Sequence, residues 1–131
     1  MPGPGPYGGT IAEHFRRPRN QGRLPNADAS AEGANPLCGD RVRIEIVTSA
    51  HADAIVEAGF TANACAICVA SASLLTERLR GMTRADVARL AESDMLAELG
   101  AEIAPGRRRC ATLPLEAAQR AVASIAEHGR R

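Results

Sequence analysis

Lysine and tryptophan are both missing from this chain, and large rings of any kind are scarce: one Tyr and two Phe in 131 residues. Without lysine there is no Schiff-base or ammonium chemistry. All 16 basic side chains are arginine, the mark of a coding bias as much as of function. With so few rings, the core has to be built from Ala, Val, Ile and Leu. No stretch approaches the roughly 20 apolar residues of a membrane span. Met1-Pro2-Gly3-Pro4-Gly5-Pro6 has neither the charged nor the apolar region of a secretory leader. The net charge of +1 supplies no whole-molecule field for nucleic acid or a membrane surface. These absences point to a cytoplasmic location, where thiols stay reduced. The four cysteines therefore read as metal or sulfur chemistry rather than as two disulfides.

A mass of 13.7 kDa suits one domain spanning 1–131, with residues 1–8 as a flexible tail. Thr10-Ile11-Ala12-Glu13 reads as a capping box opening a short helix, with Ile11 and Phe15 sharing a face and Pro18 ending it. Residues 19–35 lack periodicity and read as a surface connection. Arg41 to Thr48 alternates charged and β-branched residues, which predicts a strand. Ser49 to Asp53 reads as a turn, and Ala54 to Thr61 as a second strand returning antiparallel. A helix begins at Cys65 and stops at Gly81. Thr83 caps a short helix carrying Val87 and Leu90, and Ser93 opens another with Met95, Leu96 and Leu99. Ala104-Pro105-Gly106 breaks the pattern. Cys110 then lies in a loop, with Pro114 in the first turn of a last helix whose apolar positions are Ala118, Ala121, Val122 and Ile125. The order α-β-β-α-α-α-α, with room for a third strand, is α+β.

Three of the four cysteines fall at breaks between these elements. Cys38 lies in the turn Asn35-Pro36-Leu37-Cys38-Gly39-Asp40, where Gly39 lets the thiol and the Asp40 carboxylate point the same way. Cys65 starts a helix, where unpaired N–H groups and the macrodipole favour thiolate. Cys110 follows Arg107-Arg108-Arg109, a patch suited to an acidic partner. Three thiols and one carboxylate suit a tetrahedral zinc site or the rim of an iron–sulfur cluster. Against this stands the use of cysteine as a small buried hydrophobe. Cys68 completes a Cys-x-x-Cys with Cys65, as a spare thiol or a packing residue, but the βαβ context of a redox pair is missing. His14, His51 and His128 read as solvated surface residues.

The blocks Asn35-Pro36-x-Cys38-Gly39-Asp40, Ala64-Cys65-x-Ile67 running into Ala70 to Glu77, and Arg109-Cys110-Ala111-Thr112-Leu113-Pro114 closely resemble the IscU/SufU/NifU-type iron–sulfur cluster assembly scaffolds. Tyr7 to Gly22 is similar to that family's first helix, and the resemblance runs from about Tyr7 to Ile125. It implies a small antiparallel sheet packed by helices. It implies that Cys38, Cys65 and Cys110 accept persulfide sulfur, and that they hold a transient [2Fe–2S] cluster together with Asp40. It also implies a cysteine desulfurase as sulfur donor, apo iron–sulfur proteins as recipients, a scaffold rather than an enzyme, and a monomer or weak homo-oligomer. Departures place the chain between branches. Arg109 stands where the IscU branch has histidine, which leans toward a SufU-like, zinc-dependent sulfurtransferase. The insertion of the SufU branch is absent, and Ile103-Ala104-Pro105-Gly106-Arg107 replaces the segment read by a dedicated chaperone. Cys68 occupies a position that is usually Ser or Ala in the family.

Overall fold

The computed structural model describes residues 8–49, 53–100 and 102–128. In chain order these form α1 (Gly8–Arg16), β1 (Ala29–Asn35), β2 (Asp40–Thr48), β3 (Ile55–Asn63), α2 (Ala66–Leu79), α3 (Arg84–Arg89), α4 (Glu92–Leu99) and α5 (Arg108–His128), with a single tight turn over Pro105–Arg107 before α5. The strands make one antiparallel sheet in the order β1-β2-β3, and the helices pack against it, as the α+β reading expects. No helix among the described residues is long and apolar enough to cross a membrane.

The alternation in β2 does what the pleat requires: Val42, Ile44 and Ile46 are buried on the helix-covered side. Arg41 and Arg43 point the other way. β1 lies inside the segment expected to be an irregular connection, and this corrects that reading. Its sequence, Ala-Ser-Ala-Glu-Gly-Ala-Asn, has no β-branched or aromatic residue to announce a strand. Its strand state comes from its neighbours. It pairs with β2 from Ala29↔Ile46 to Asn35↔Asp40 and lies under α5, so close that a Cβ on Gly33 would sit 3.1 Å from the Leu113 side chain.

α2 runs through the middle of the molecule and is buried on nearly every side, from Ile67 to Leu79. Its small residues let α1 and α5 approach. Its buried hydroxyls are all partnered, as interiors require. Ser71 Oγ donates to the Ala111 carbonyl at 2.5 Å, and Thr76 Oγ1 to the Ser73 carbonyl at 3.0 Å. Gly81 ends the run at φ +86°. Thr83 and Asp86 form the expected capping box on α3. α4 starts at Glu92, one residue before Ser93, because the Asp94 carboxylate accepts the Ala91 N–H at 2.8 Å.

Three further expectations need correction. α1 begins at Gly8, so Thr10 lies inside it. Its inward stripe joins Ile11 to His14, the i,i+3 pair, which leaves Phe15 49% exposed. His14 is accordingly buried rather than solvated. Its Nδ1 lies 2.7 Å from Ser73 Oγ, and the same oxygen accepts the Arg19 N–H at 2.8 Å. Third, α5 starts at Arg108, so Cys110 stands in its first turn and not in a loop, and Pro114 falls one turn deeper. Residues 1–7, which include Tyr7 and most of the expected tail, lie outside the described residues, as do His51 and the middle of the 49–53 turn. The His128 side chain does too.

Candidate metal centre

The β1–β2 hairpin closes at Asn35↔Asp40, and β3 pairs with β2 up to Arg41↔Asn63. The hairpin loop and the exit of β3 toward Cys65 therefore share one end of the sheet. α5 begins at that end. Three sequence-distant segments are thus collected by strand register and one helix crossing.

Asn35 shapes the loop, a role the sequence reading did not assign although Asn before Pro is a turn signal. Its Oδ1 accepts the Leu37 N–H at 3.1 Å, and its carbonyl accepts the Cys38 and Gly39 N–H groups at 3.3 and 2.8 Å. Gly39 adopts φ +81°, the left-handed conformation that lets the chain reverse between Cys38 and Asp40. Cys38 stands exposed at the tip, beside Leu37, which is 94% exposed.

Cys38, Asp40 and Cys110 each offer a ligand atom within 4.8 Å of the other two. Asp40 and Cys110 are buried and Cys38 is exposed. Cys65 joins through Asp40, whose Oδ1 accepts its backbone N–H at 3.2 Å. The other oxygen, Asp40 Oδ2, is buried with no hydrogen-bond partner. Such an orphan costs roughly 1–3 kcal/mol or more unless something satisfies it. A metal cation seated between two thiols and this oxygen would do so, and sulfur with carboxylate is a donor set that zinc and iron both accept. The residues present fit a metal.

Two helix N-termini aim at the same place. Cys65 is the N-cap of α2 and makes no side-chain capping bond, and Cys110 is the third residue of α5. Unpaired N–H groups there favour anionic sulfur. Burial overrides them for Cys110, whose thiol is pushed well above the usual range, first by burial and then by the Cys65 thiol and the Asp40 carboxylate. A bound cation would invert that balance.

Cys68 is fully buried one turn into α2. Its thiol is also pushed up, first by burial and then by the charges of Asp40, Cys65, Cys110 and Cys38. Arg109 does not enter the group. It is exposed and pairs with Glu116 on its own helix at 3.1 Å. His14 is committed to Ser73. Among the described residues, then, no histidine joins the centre.

A family model described as the NifU-like N terminal domain matches residues 6–130. The chain is 32% identical over 110 residues to the iron–sulfur cluster assembly scaffold protein IscU of Aquifex aeolicus, covering 84% of this chain and 69% of that one. It is 31% identical over 134 residues to the zinc-dependent sulfurtransferase SufU of Bacillus subtilis, covering 89% of each. The crystal structure of SufU from Fervidobacterium islandicum AW-1 superposes with a TM-score of 0.73 at 27% identity, over 88% of this chain and 96% of that one. The chain spans only 23% and 38% of the length of two longer relatives that also match.

Proposed function

The chain belongs to the NifU-like N-terminal domain family, and from that premise we propose that residues 1–131 act as one iron–sulfur cluster assembly scaffold domain. In this reading a cysteine desulfurase delivers sulfur to Cys38, Cys65 or Cys110. A labile [2Fe–2S] cluster is built as cargo on these thiols and Asp40, and apo iron–sulfur proteins receive it, in the cytoplasm. The observation that carries the reading is the buried, unpartnered Asp40 Oδ2 held among cysteine donors. An oxygen donor is a harder and weaker partner for cluster iron than a thiolate. One corner is therefore easy to displace, which suits a protein that gives its cargo away. The exposed Cys38 at the hairpin tip, next to Leu37, supplies the face where donor and recipient meet.

A second reading, a SufU-like zinc-dependent sulfurtransferase, is favoured by the placement of Arg109. Its guanidinium pairs with Glu116, so no side chain at that position offers nitrogen to the centre. Cys38, Asp40 and Cys110, with Cys65 adjacent, are then the residues that would hold zinc. Bound there, zinc would keep the thiols deprotonated and the loops in place between sulfur deliveries.

Anaerobic reconstitution with ferrous iron, cysteine and a cysteine desulfurase tests the first reading. The expected result is visible charge-transfer absorption with equal iron and sulfide, transferable to apo-ferredoxin and lost in Cys38→Ala, Cys65→Ala and Cys110→Ala. A colourless protein that carries zinc and accelerates desulfurase turnover would select the second reading. A protein that does neither would sink both.

A further inference from the structure

Cys68, three residues after the acceptor candidate Cys65, is the one cysteine to which the scaffold reading gives no role. Cluster sulfur is sulfide, whereas a persulfide carries its outer sulfur two electrons more oxidised. Something must supply that pair of electrons. We infer that Cys68 is a resolving thiol, which attacks a persulfide on Cys65 and releases its outer sulfur as sulfide inside the assembly site. The inference rests on the reading that Cys65 accepts sulfur.

The placement of the two thiols argues for it. β3 ends at Asn63, Cys65 is the N-cap of α2 with extended backbone at φ −69° and ψ 168°, and Cys68 is the third helical residue. A strand leading into a helix that carries Cys-x-x-Cys at its start is the local arrangement of a dithiol pair, although no parallel strand follows. Residues three apart at a helix start have Cα atoms roughly 5 Å apart by helix geometry, within the disulfide range of about 4.4–6.8 Å. An N-cap side chain folds back over N2 and N3, which is where Cys68 stands. The Cys65 side chain makes no capping bond, so it is not pinned over the helix end; its thiol meets the Cys110 thiol, and its N–H is fixed by Asp40 Oδ1.

Exposure divides the roles. Cys65 is half-buried and within reach of a donor; Cys68 is fully buried and meets only what Cys65 brings to it.

The step balances. The Cys68 sulfur attacks the inner sulfur of Cys65–S–SH, and a Cys65–Cys68 disulfide forms. The bond between inner and outer sulfur breaks, and its electron pair leaves with the outer sulfur. The thiol proton of Cys68 goes with it, giving hydrogen sulfide. The outer sulfur is reduced by two electrons, and the two cysteine sulfurs are oxidised to the disulfide. A dithiol reductant of the thioredoxin class then restores the pair.

The test uses the full chain, reduced and metal-free, beside Cys68→Ser and Cys68→Ala; two variants keep the result independent of how either one folds. Each is treated anaerobically with inorganic polysulfide, desalted, and followed by intact mass, peptide mapping and sulfide release. The native chain is expected to lose two hydrogens as a Cys65–Cys68 disulfide and to release one sulfide for each disulfide formed. Both variants are expected to keep one extra sulfur on Cys65 and to release sulfide at least about tenfold more slowly. Equal release from the variants, a persistent persulfide in the native chain, a disulfide mapped to Cys38 or Cys110, or no sulfur on Cys65 in any of the three would overturn the inference. A parallel arm replaces polysulfide with a cysteine desulfurase and cysteine. Loading by polysulfide but not by the desulfurase would defeat the sulfur-acceptor reading while leaving the Cys68 chemistry standing.

Discussion

Asp40 uses its two oxygens differently, and that difference separates its structural role from its chemical one. Oδ1 ties the hairpin to the start of α2 through the Cys65 N–H, while Oδ2 waits, buried, for a partner. In Asp40→Ala the cluster is left with thiolate donors alone, and an incoming ligand loses the corner that is easiest to displace. Transfer to apo-ferredoxin, followed by visible absorption, should slow by about threefold or more; equal or faster transfer would remove the carboxylate from the release step. Gly33 tests packing at the same scale. A Cβ there would stand 3.1 Å from the Leu113 side chain and 3.3 Å from its carbonyl oxygen, which belongs to the helix backbone and cannot rotate away. Gly33→Ala should cost about 1–3 kcal/mol in urea unfolding. Neither Gly33 nor Asn35 advertises its role in the sequence, because each matters through a neighbour that only the fold supplies. Cys38, Asp40 and Cys65 were legible because they sit at element ends, where turn and capping residues mark the boundary.

At the scale of elements, legibility followed the strength of the local pattern. β2 and α3 carry their own signals, alternation in one and a capping box in the other, and both form where expected. β1 has no signal of its own and exists because β2 offers an edge and α5 a cover. α1 has a signal that is too short: nine residues do not say whether Ile11 turns inward with His14 or with Phe15. The choice of His14 has a consequence for pH. Ser73 Oγ accepts the Arg19 N–H, so its own hydrogen is free to go to His14 Nδ1, which fits a neutral ring. The His14 pKa lies below its ordinary value of 6.5, first because of burial and then because of the Arg19 charge, with Glu77, Glu13 and Glu98 pulling weakly the other way. An unfolded chain takes up this proton near pH 6.5, before the folded chain does. Stability should therefore fall as the pH drops below 6.5 and level off once the folded-state value is passed. Urea midpoints between pH 7.5 and 5 should show that step in the native chain and lose it in His14→Gln. A step of equal size in the variant would place the titration elsewhere.

Over the whole molecule, the centre joins a hairpin tip, the start of α2 and the start of α5, segments between 25 and 72 residues apart along the chain: 65 − 40 = 25 and 110 − 38 = 72. The sequence could single out candidate residues, of which Cys38, Asp40 and Cys110 come together, but not the depth at which they stand. Cys110 was expected in a loop beside a basic patch; instead it is buried in a helical turn, with Arg109 paired outward to Glu116. The register of β1 with β2 and the crossing of α5 over both decide that, and neither is written in the residues near Cys110. Such an arrangement couples the centre to global stability. An unfolded chain cannot hold these donors together, so a metal that binds the folded form stabilises all of it by mass action. At a thousandfold excess over Kd this amounts to about 4 kcal/mol, a rise in Tm on the order of 10 °C. Stripping metal from the purified chain with a chelator should lower Tm by that order, and adding zinc back should restore it. Cys38→Ala should flatten the response while leaving the metal-free Tm nearly unchanged, because the Cys38 side chain is exposed and no core is lost with it. A metal response that survives in Cys38→Ala at full size would mean that the cation sits on other donors.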